Sequence, residues 1–321
     1  MDITFLLYLQ QFRQLTSGIL DNLFLYITTL GEDWILFLGT AGIYWCIDKR
    51  TGFFMYFNYN LANYVNQFVK LTACINRPWV RDSRVQPVGG AIPGATGYSF
   101  PSGHTAKAMA VWGGLGLKIQ KWSRQISLFL IGIVLLTGFS RNYLGVHTPQ
   151  DVMVSMVIGI GLLIVSDKAI KWISQKKKRE YAAILTGIVL AGILIGFASL
   201  KTYPMEYVDG QLLVDPESMI HGAYKGAGGV LGLCLGWLLE LKLVKFETKK
   251  YAVEERLLRF LHGAVGLIII LKVCPAIWPR LFTGRGASVM NGFMPPFYII
   301  GGFPLLASWV SGRNSRSRQE L

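Results

Sequence analysis

The sequence predicts an all-α fold, a polytopic transmembrane helical bundle with about nine spans. Three observations point there. The 321 residues are 52% hydrophobic and 16% charged, whereas soluble domains average about 25% charged. Mean hydropathy is +0.41. The charges are gathered in short clusters with long apolar runs between them. This composition excludes an intrinsically disordered chain and argues against a soluble globular enzyme. A net charge of +14 would suit nucleic acid, but the Lys and Arg clusters lie between apolar segments, which is the pattern of membrane topology rather than of one basic face.

Residues 3–30 are apolar but interrupted by Gln10, Gln11, Arg13, Gln14, Asp21 and Asn22. They read as two amphipathic helices lying in the outer interface; a spanning helix is the alternative and would move the N-terminus inside. Met1-Asp2 lacks a basic n-region and no small-residue cleavage site follows, so no signal peptide is expected. Nine apolar stretches follow: 33–49, 51–74, 102–118, 124–144, 149–168, 181–200, 222–241, 256–275 and 293–311. The first is short, and Asp48-Lys49-Arg50 predicts a tight hairpin into the second. Glycines 222, 226, 228, 232 and 236 predict close helix packing in the seventh. The chain divides into interfacial helices (1–32), a core (33–175) and additional transmembrane helices (176–321).

Lys49-Arg50, Lys118/Lys121/Arg124, Lys168 to Arg179, Lys242 to Arg256 and Arg313/Arg316/Arg318 fall on one side, which the positive-inside rule makes cytoplasmic. The acidic loop with Glu206, Asp209, Asp215 and Glu217 falls outside, as does the N-terminus, with the C-terminus inside. Arg77, Arg81, Arg84 and Arg141 break this bias by standing at the outer face, so they need another reason. Cys46, Cys74, Cys234 and Cys274 read as free packing residues; a Cys74–Cys274 bridge stays open.

Three patterns stand at the outer ends of the second to fifth stretches: Lys70 with Arg77-Pro78, Pro101-Ser102-Gly103-His104, and Ser140-Arg141 with His147 and Asp151. Each residue has a local reading: a snorkelling lysine, a helix stop, an N-cap, a capping box at Thr148–Asp151. Those readings leave unexplained why two of four histidines sit beside three cations on one face. Seven residues make two helical turns, so Lys70 and Arg77 are expected on one face of a helix, about 10 Å apart along its axis. Together with Arg141 they suit a phosphate dianion, with Ser102 and Gly103 offering helix-start N–H groups. His147 and Asp151, four apart, suit a carboxylate-oriented imidazole nucleophile, and His104 a proton donor and acceptor. No His, Asp and Glu spacing suits a metal, and no cofactor is expected.

These patterns resemble the three signature motifs of the type 2 phosphatidic acid phosphatase family, whose superfamily includes vanadium haloperoxidases. The similarity covers roughly residues 15–170. The stretch Leu20-Asp21 through Ile47-Asp48-Lys49 also resembles bacterial members, including undecaprenyl-diphosphate phosphatases. The resemblance implies His147 as nucleophile, Asp151 as its orienting partner and His104 as general acid and base. It further implies Lys70, Arg77, Ser102, Gly103 and Arg141 as phosphate ligands. The activity implied is metal-independent hydrolysis of lipid phosphates or diphosphates through a phosphohistidine, at the outer leaflet of a bacterial plasma membrane. A phosphotransferase of the same superfamily and a non-enzymatic lipid or anion transporter are the alternatives.

The family core has about six helices; the extra ones give a layout similar to that of glucose-6-phosphatases. Whether they shape a groove, form a homodimer contact or add stability stays open. His221 is a further candidate near the site, His262 reads as a paired interior histidine, and Arg81, Asp82 and Arg84 read as a solvated loop.

Overall fold

The computed structural model describes residues 2–208, 211–212, 214–244, 247–248 and 252–309. The elements in order are α1 (Asp2–Leu15), α2 (Asp21–Thr29), α3 (Asp33–Gly42, continued by a π turn at Ile43–Ile47), α4 (Lys49–Ala73) and the short α5 (Pro78–Arg81). Then come α6 (Gly103–Ala108), a π turn at Met109–Gly113, α7 (Gly114–Ile119), α8 (Arg124–Tyr143), α9 (Pro149–Ile173) and α10 (Lys177–Leu200). A two-residue antiparallel pair, Tyr207–Val208 with Gln211–Leu212, precedes α11 (Pro216–Leu239), α12 (Val253–Lys272), α13 (Cys274–Leu281) and α14 (Gly284–Phe297).

The protein is a multi-pass membrane protein. Among the described residues five helices are long and apolar enough to cross: Arg124–Tyr143, Pro149–Ile173, Lys177–Leu200, Pro216–Val244 and Gly284–Trp309. Val253–Lys272 and Cys274–Leu281, bent by 48°, make a sixth if they form one span. The expected count of nine is not reached on length and composition, because the three earliest stretches fall short. Asp33–Ile47 is apolar, but its 15 residues cover about 22 Å, less than a hydrocarbon core of about 30 Å. Residues 103–119 are three short pieces. α4 is long but polar, carrying Asn58, Asn60, Asn63, Asn66, Gln67 and Lys70. Residues 310–311 of the last stretch and the cations Arg313, Arg316 and Arg318 lie outside the described residues.

Residues 3–30 form two helices, as the sequence predicts. The hairpin at Asp48 forms as well: Asp48 Oδ2 accepts the Thr51 N–H at 2.8 Å. A Cβ on Gly52 would lie 2.4 Å from Tyr44 Cα, so only glycine lets α4 start against that turn. All four cysteines are free thiols.

The chain divides into two compact units. One comprises Met1–Leu36, Leu61–Val165 and Phe197–Ala223; the other comprises Phe37–Asn60, Ser166–Gly196 and Tyr224 onwards. In the second unit, α11 packs on α14 at backbone contact. A Cβ on Gly228 or Gly232 would lie 2.1 Å from the carbonyl oxygen of Val289 or Phe293. Trp45 donates to the Ile299 carbonyl at 2.8 Å and packs on Phe303. Lys49 pairs with buried Glu240.

The first unit holds all eight residues singled out above. α2 lies along α8 through Phe24, which stacks on Tyr143 at 4.1 Å. Arg13 of α1 donates to the carbonyls of Tyr143 and Gln86. The Phe197–Ala223 segment joins this unit: Phe197 stacks on Phe68, and Lys201 Nζ donates to the Leu71 carbonyl near the C-terminal end of α4. That carbonyl is one a helix end leaves unsatisfied.

Candidate active site

α4 stops at Ala73, where Cys74 turns the chain with φ +49°. Pro78 then holds Arg77 extended, at ψ 153°, as the residue that leads into α5. Lys70 and Arg77 therefore do not share a helix face, which corrects the two-turn expectation. Both side chains instead converge on the segment Thr96–Ser99. Arg77 Nε donates to the Gly97 carbonyl at 2.9 Å and Nη2 to the Thr96 carbonyl at 3.0 Å. Lys70 Nζ donates to the Tyr98 carbonyl at 2.8 Å and more weakly to that of Ser99.

The remaining nitrogen of Arg77 reaches the other motif. Nη1 donates to the Val146 carbonyl and to His147 Nε2, each at 2.9 Å. A guanidinium only donates, so Nε2 is the unprotonated nitrogen and Nδ1 carries the proton. That proton faces Asp151 Oδ2 at 3.2 Å. Asp151 is fixed in turn by the Thr148 N–H at 2.8 Å, half of a reciprocal capping box at the start of α9. The pair forms although α9 begins at Pro149, two residues after His147. The backbone of His147 is clasped by the end of α8: its N–H donates to the Arg141 carbonyl and Asn142 Nδ2 donates to its carbonyl. Gly145, at φ +74°, supplies the left-handed turn between them.

His147 is 2% exposed. Burial, and secondarily the Arg77 charge, hold its pKa well below the usual imidazole value, against the pull of Asp151. Burial likewise lowers Arg77 to about 10, against the pull of Asp151.

Ser102 precedes α6 and is stitched to α9: its N–H donates to the Asp151 carbonyl, and Ser155 Oγ donates to its carbonyl at 2.9 Å. A Cβ on Gly103 would meet only Asn66 Oδ1, at 3.6 Å, so no protein atom crowds that position. His104 follows in the first turn of α6, with no hydrogen bond to the His147–Asp151 pair among the described residues. Gly31 packs against it; a Cβ there would lie 3.0 Å from His104 Cβ and carbonyl oxygen.

Arg141 is 1% exposed, and Nη1 donates to Thr28 Oγ1 at 2.7 Å. Its Nε and Nη2 are buried without a hydrogen-bond partner among the described residues. Buried guanidinium N–H groups left without an acceptor are costly, and an anion would satisfy them.

Among the other residues noted from sequence, His221 lies 3.8 Å from Glu217 on its own helix. His262 bonds the Leu258 carbonyl but is exposed, not interior as expected. Arg84 pairs with Asp82, and Arg81 with Asp2. Sequence reasoning missed Thr28 and Ser99. Ser99 is fully buried, and its hydroxyl donates to Asp151 Oδ2 at 2.6 Å. Only its place three residues before Ser102 pointed to it.

Residues 52–179, which contain all eight predicted positions, match the family model described as PAP2 superfamily. Undecaprenyl-diphosphatase BcrC of Bacillus subtilis is 36% identical over 96 residues, covering 30% of this chain and 46% of that protein. An undecaprenyl-diphosphatase of Sulfolobus acidocaldarius is 28% identical over 169 residues, covering 50% of this chain and 77% of its own length. Phosphatidylglycerophosphatase B of Escherichia coli K12 is 38% identical over 84 residues, covering 25% of this chain and 31% of its own length. The similarity thus spans less than half the length of the Bacillus protein. No solved structure matches the chain. Motifs, helical membrane architecture and the matched segment agree: residues 52–179 of the chain are similar to the PAP2 superfamily.

Proposed function

We propose that this protein is a membrane phosphatase that hydrolyses lipid phosphate monoesters or diphosphates through a phosphohistidine intermediate. The observation that carries this reading is His147 Nε2, unprotonated and held against Arg77, in the same compact unit as the two unsatisfied nitrogens of Arg141. The names of the relatives support a lipid substrate: undecaprenyl-diphosphatase and phosphatidylglycerophosphatase. So does the membrane setting, where a tail stays in the bilayer while the head group meets the cations.

In this reading the phosphate oxygens take up the N–H groups of Arg141 and Arg77, with Lys70, Ser102 and Gly103 completing the cradle. Nε2 of His147 attacks phosphorus as the ester or anhydride P–O bond breaks, and His104 gives its proton to the departing oxygen. Asp151 holds the Nδ1 proton, which stabilises the charge the ring acquires. Water then attacks the P–N bond, returning its proton to His104 and releasing inorganic phosphate. The membrane is the cell membrane and the site opens on the extracytoplasmic side, because the basic loops such as Lys176–Arg179 mark the opposite side as cytoplasmic.

The test is phosphate release by the detergent-purified protein with chelator present, beside His147→Ala. The substrates are undecaprenyl diphosphate, phosphatidate, phosphatidylglycerol phosphate, sphingosine phosphate and glucose 6-phosphate. Release from a lipid, reduced about 10⁴-fold or more by the substitution, is expected. Equal release by His147→Ala sinks the mechanism. In ¹⁸O water the label enters the released phosphate; its absence would assign a phosphotransferase instead.

A further inference from the structure

Ser99 lies outside the three motifs yet contacts residues of the first and the third. It is 0% exposed. Its N–H donates to the Ile75 carbonyl at 2.7 Å, on the path between Lys70 and Arg77. Its carbonyl receives Lys70 Nζ. Its hydroxyl donates to Asp151 Oδ2 at 2.6 Å, the shortest of three contacts on that oxygen, against 2.8 Å from Thr148 N–H and 3.2 Å from His147 Nδ1. A hydroxyl-to-carboxylate bond of that length is charge-assisted. The hydroxyl also lies 3.4 Å from His147 Nδ1, but the short contact and the Nδ1 proton direct it to the carboxylate.

We infer that Ser99 is a positioning residue for the His147–Asp151 pair. Its hydroxyl holds the carboxylate oxygen in line with the imidazole and takes up part of its charge, keeping Nε2 unprotonated and aimed. The inference rests on the proposed phosphatase chemistry only for its catalytic consequence. The charged groups facing the pair are Arg77 from the loop after α4, Lys70 from α4, Arg141 from α8 and His104 from α6. None of them replaces a donor removed from Asp151 Oδ2, where Ser99 is the only side-chain hydroxyl among the described residues.

Two measurements on the full-length protein test this, one of which needs no activity. The first is the titration of His147 by NMR of histidine-labelled protein in detergent, with His147→Ala identifying the signal among four histidines. In Ser99→Ala the whole carboxylate charge falls on the ring, so His147 becomes easier to protonate and its midpoint moves to higher pH. An unchanged midpoint overturns the inference. The second is turnover of undecaprenyl diphosphate. Ser99→Ala is expected to lower kcat about tenfold with KM within about twofold, and Ser99→Thr, which keeps the hydroxyl, to recover part of it. Combined with Asp151→Asn, the Ser99→Ala change is expected to add little, since its partner is already altered. Full kcat in Ser99→Ala, or multiplicative losses in the double variant, overturns the inference. A shifted His147 midpoint together with undiminished turnover in His147→Ala would instead keep the Ser99 role and sink the phosphatase mechanism.

Discussion

Arg77 Nη1 lies 2.9 Å from His147 Nε2, on the ring nitrogen that Asp151 does not touch. The imidazole is therefore gripped from both edges by groups of opposite charge, and the cation wins the protonation contest because burial acts on its side. The sign follows directly. With its pKa below the ordinary value of about 6.5, His147 stays neutral until the pH falls below that value, and a neutral ring is what a nucleophile requires. The acid limb of kcat/KM, which reports the free enzyme, is expected below pH 6.5 or so. Arg77→Met should lower kcat/KM and also move that limb upward, since a cation facing the ring is gone. A limb that stays in place while activity falls would show that Arg77 does not set the charge of His147.

Arg141 presents a different imbalance. A buried guanidinium with two unsatisfied nitrogens destabilises the ligand-free fold, and an anion would relieve it. Inorganic phosphate is thus expected to raise the Tm of the wild-type protein in detergent, by an amount equivalent to about 2.7 kcal/mol at a hundred times its Kd. Arg141→Met should abolish the shift. Arg141→Lys should also lose most of it, because an ammonium cannot replace a planar fork. Absence of any phosphate effect on the wild type would contradict the anion site.

Thr28 supplies the one hydrogen bond that Arg141's side chain makes among the described residues, and it comes from α2, before the family-matched segment. Thr28→Val keeps the shape and removes the acceptor. Loss of a hydrogen bond to a charged group costs about 1.5–3 kcal/mol, so the Tm of the ligand-free protein should fall, and kcat/KM should fall as Arg141 loses its fixed position. Wild-type kinetics in Thr28→Val would mean that the N-terminal helices merely pack.

The limits of reading the sequence follow from these contacts. Short-range chemistry was legible: the capping box at Thr148–Asp151, the turn at Asp48 and the glycine stripe on α11 each have a local signature that the structure realises. The pairing of His147 with Asp151 was legible for the same reason, four residues apart at a helix start. Lys70 and Arg77 were misplaced because counting turns ignored Pro78, which forces the residue before it out of the helix. Thr28 was not legible at all, and Ser99 only through its place three residues before Ser102. Their hydroxyls gain meaning only when α2 meets α8 and when the loop before α6 meets α9, and no spacing encodes either encounter. The span count failed for a related reason. α4 holds asparagines whose amides bond within the protein, so a helix too polar for lipid exposure still reads as an apolar stretch.

The glycine stripe gives a stability prediction separate from the chemistry. At Gly232 an added methyl would lie 2.1 Å from the Phe293 carbonyl oxygen and 2.9 Å from its carbon, so it meets backbone that cannot rotate away. α11 and α14 would have to separate along their contact, where Gly228 and Gly236 face the same helix. Overpacking of this kind costs about 1–3 kcal/mol. Gly161 on α9 is the natural control: nothing lies within 4 Å of its added methyl, and alanine favours a helix over glycine by about 1 kcal/mol. Gly232→Ala should therefore lower the Tm in detergent, and Gly161→Ala should leave it unchanged or raise it. A rise of the Tm in both variants would show that helix propensity, rather than contact between α11 and α14, decides the outcome.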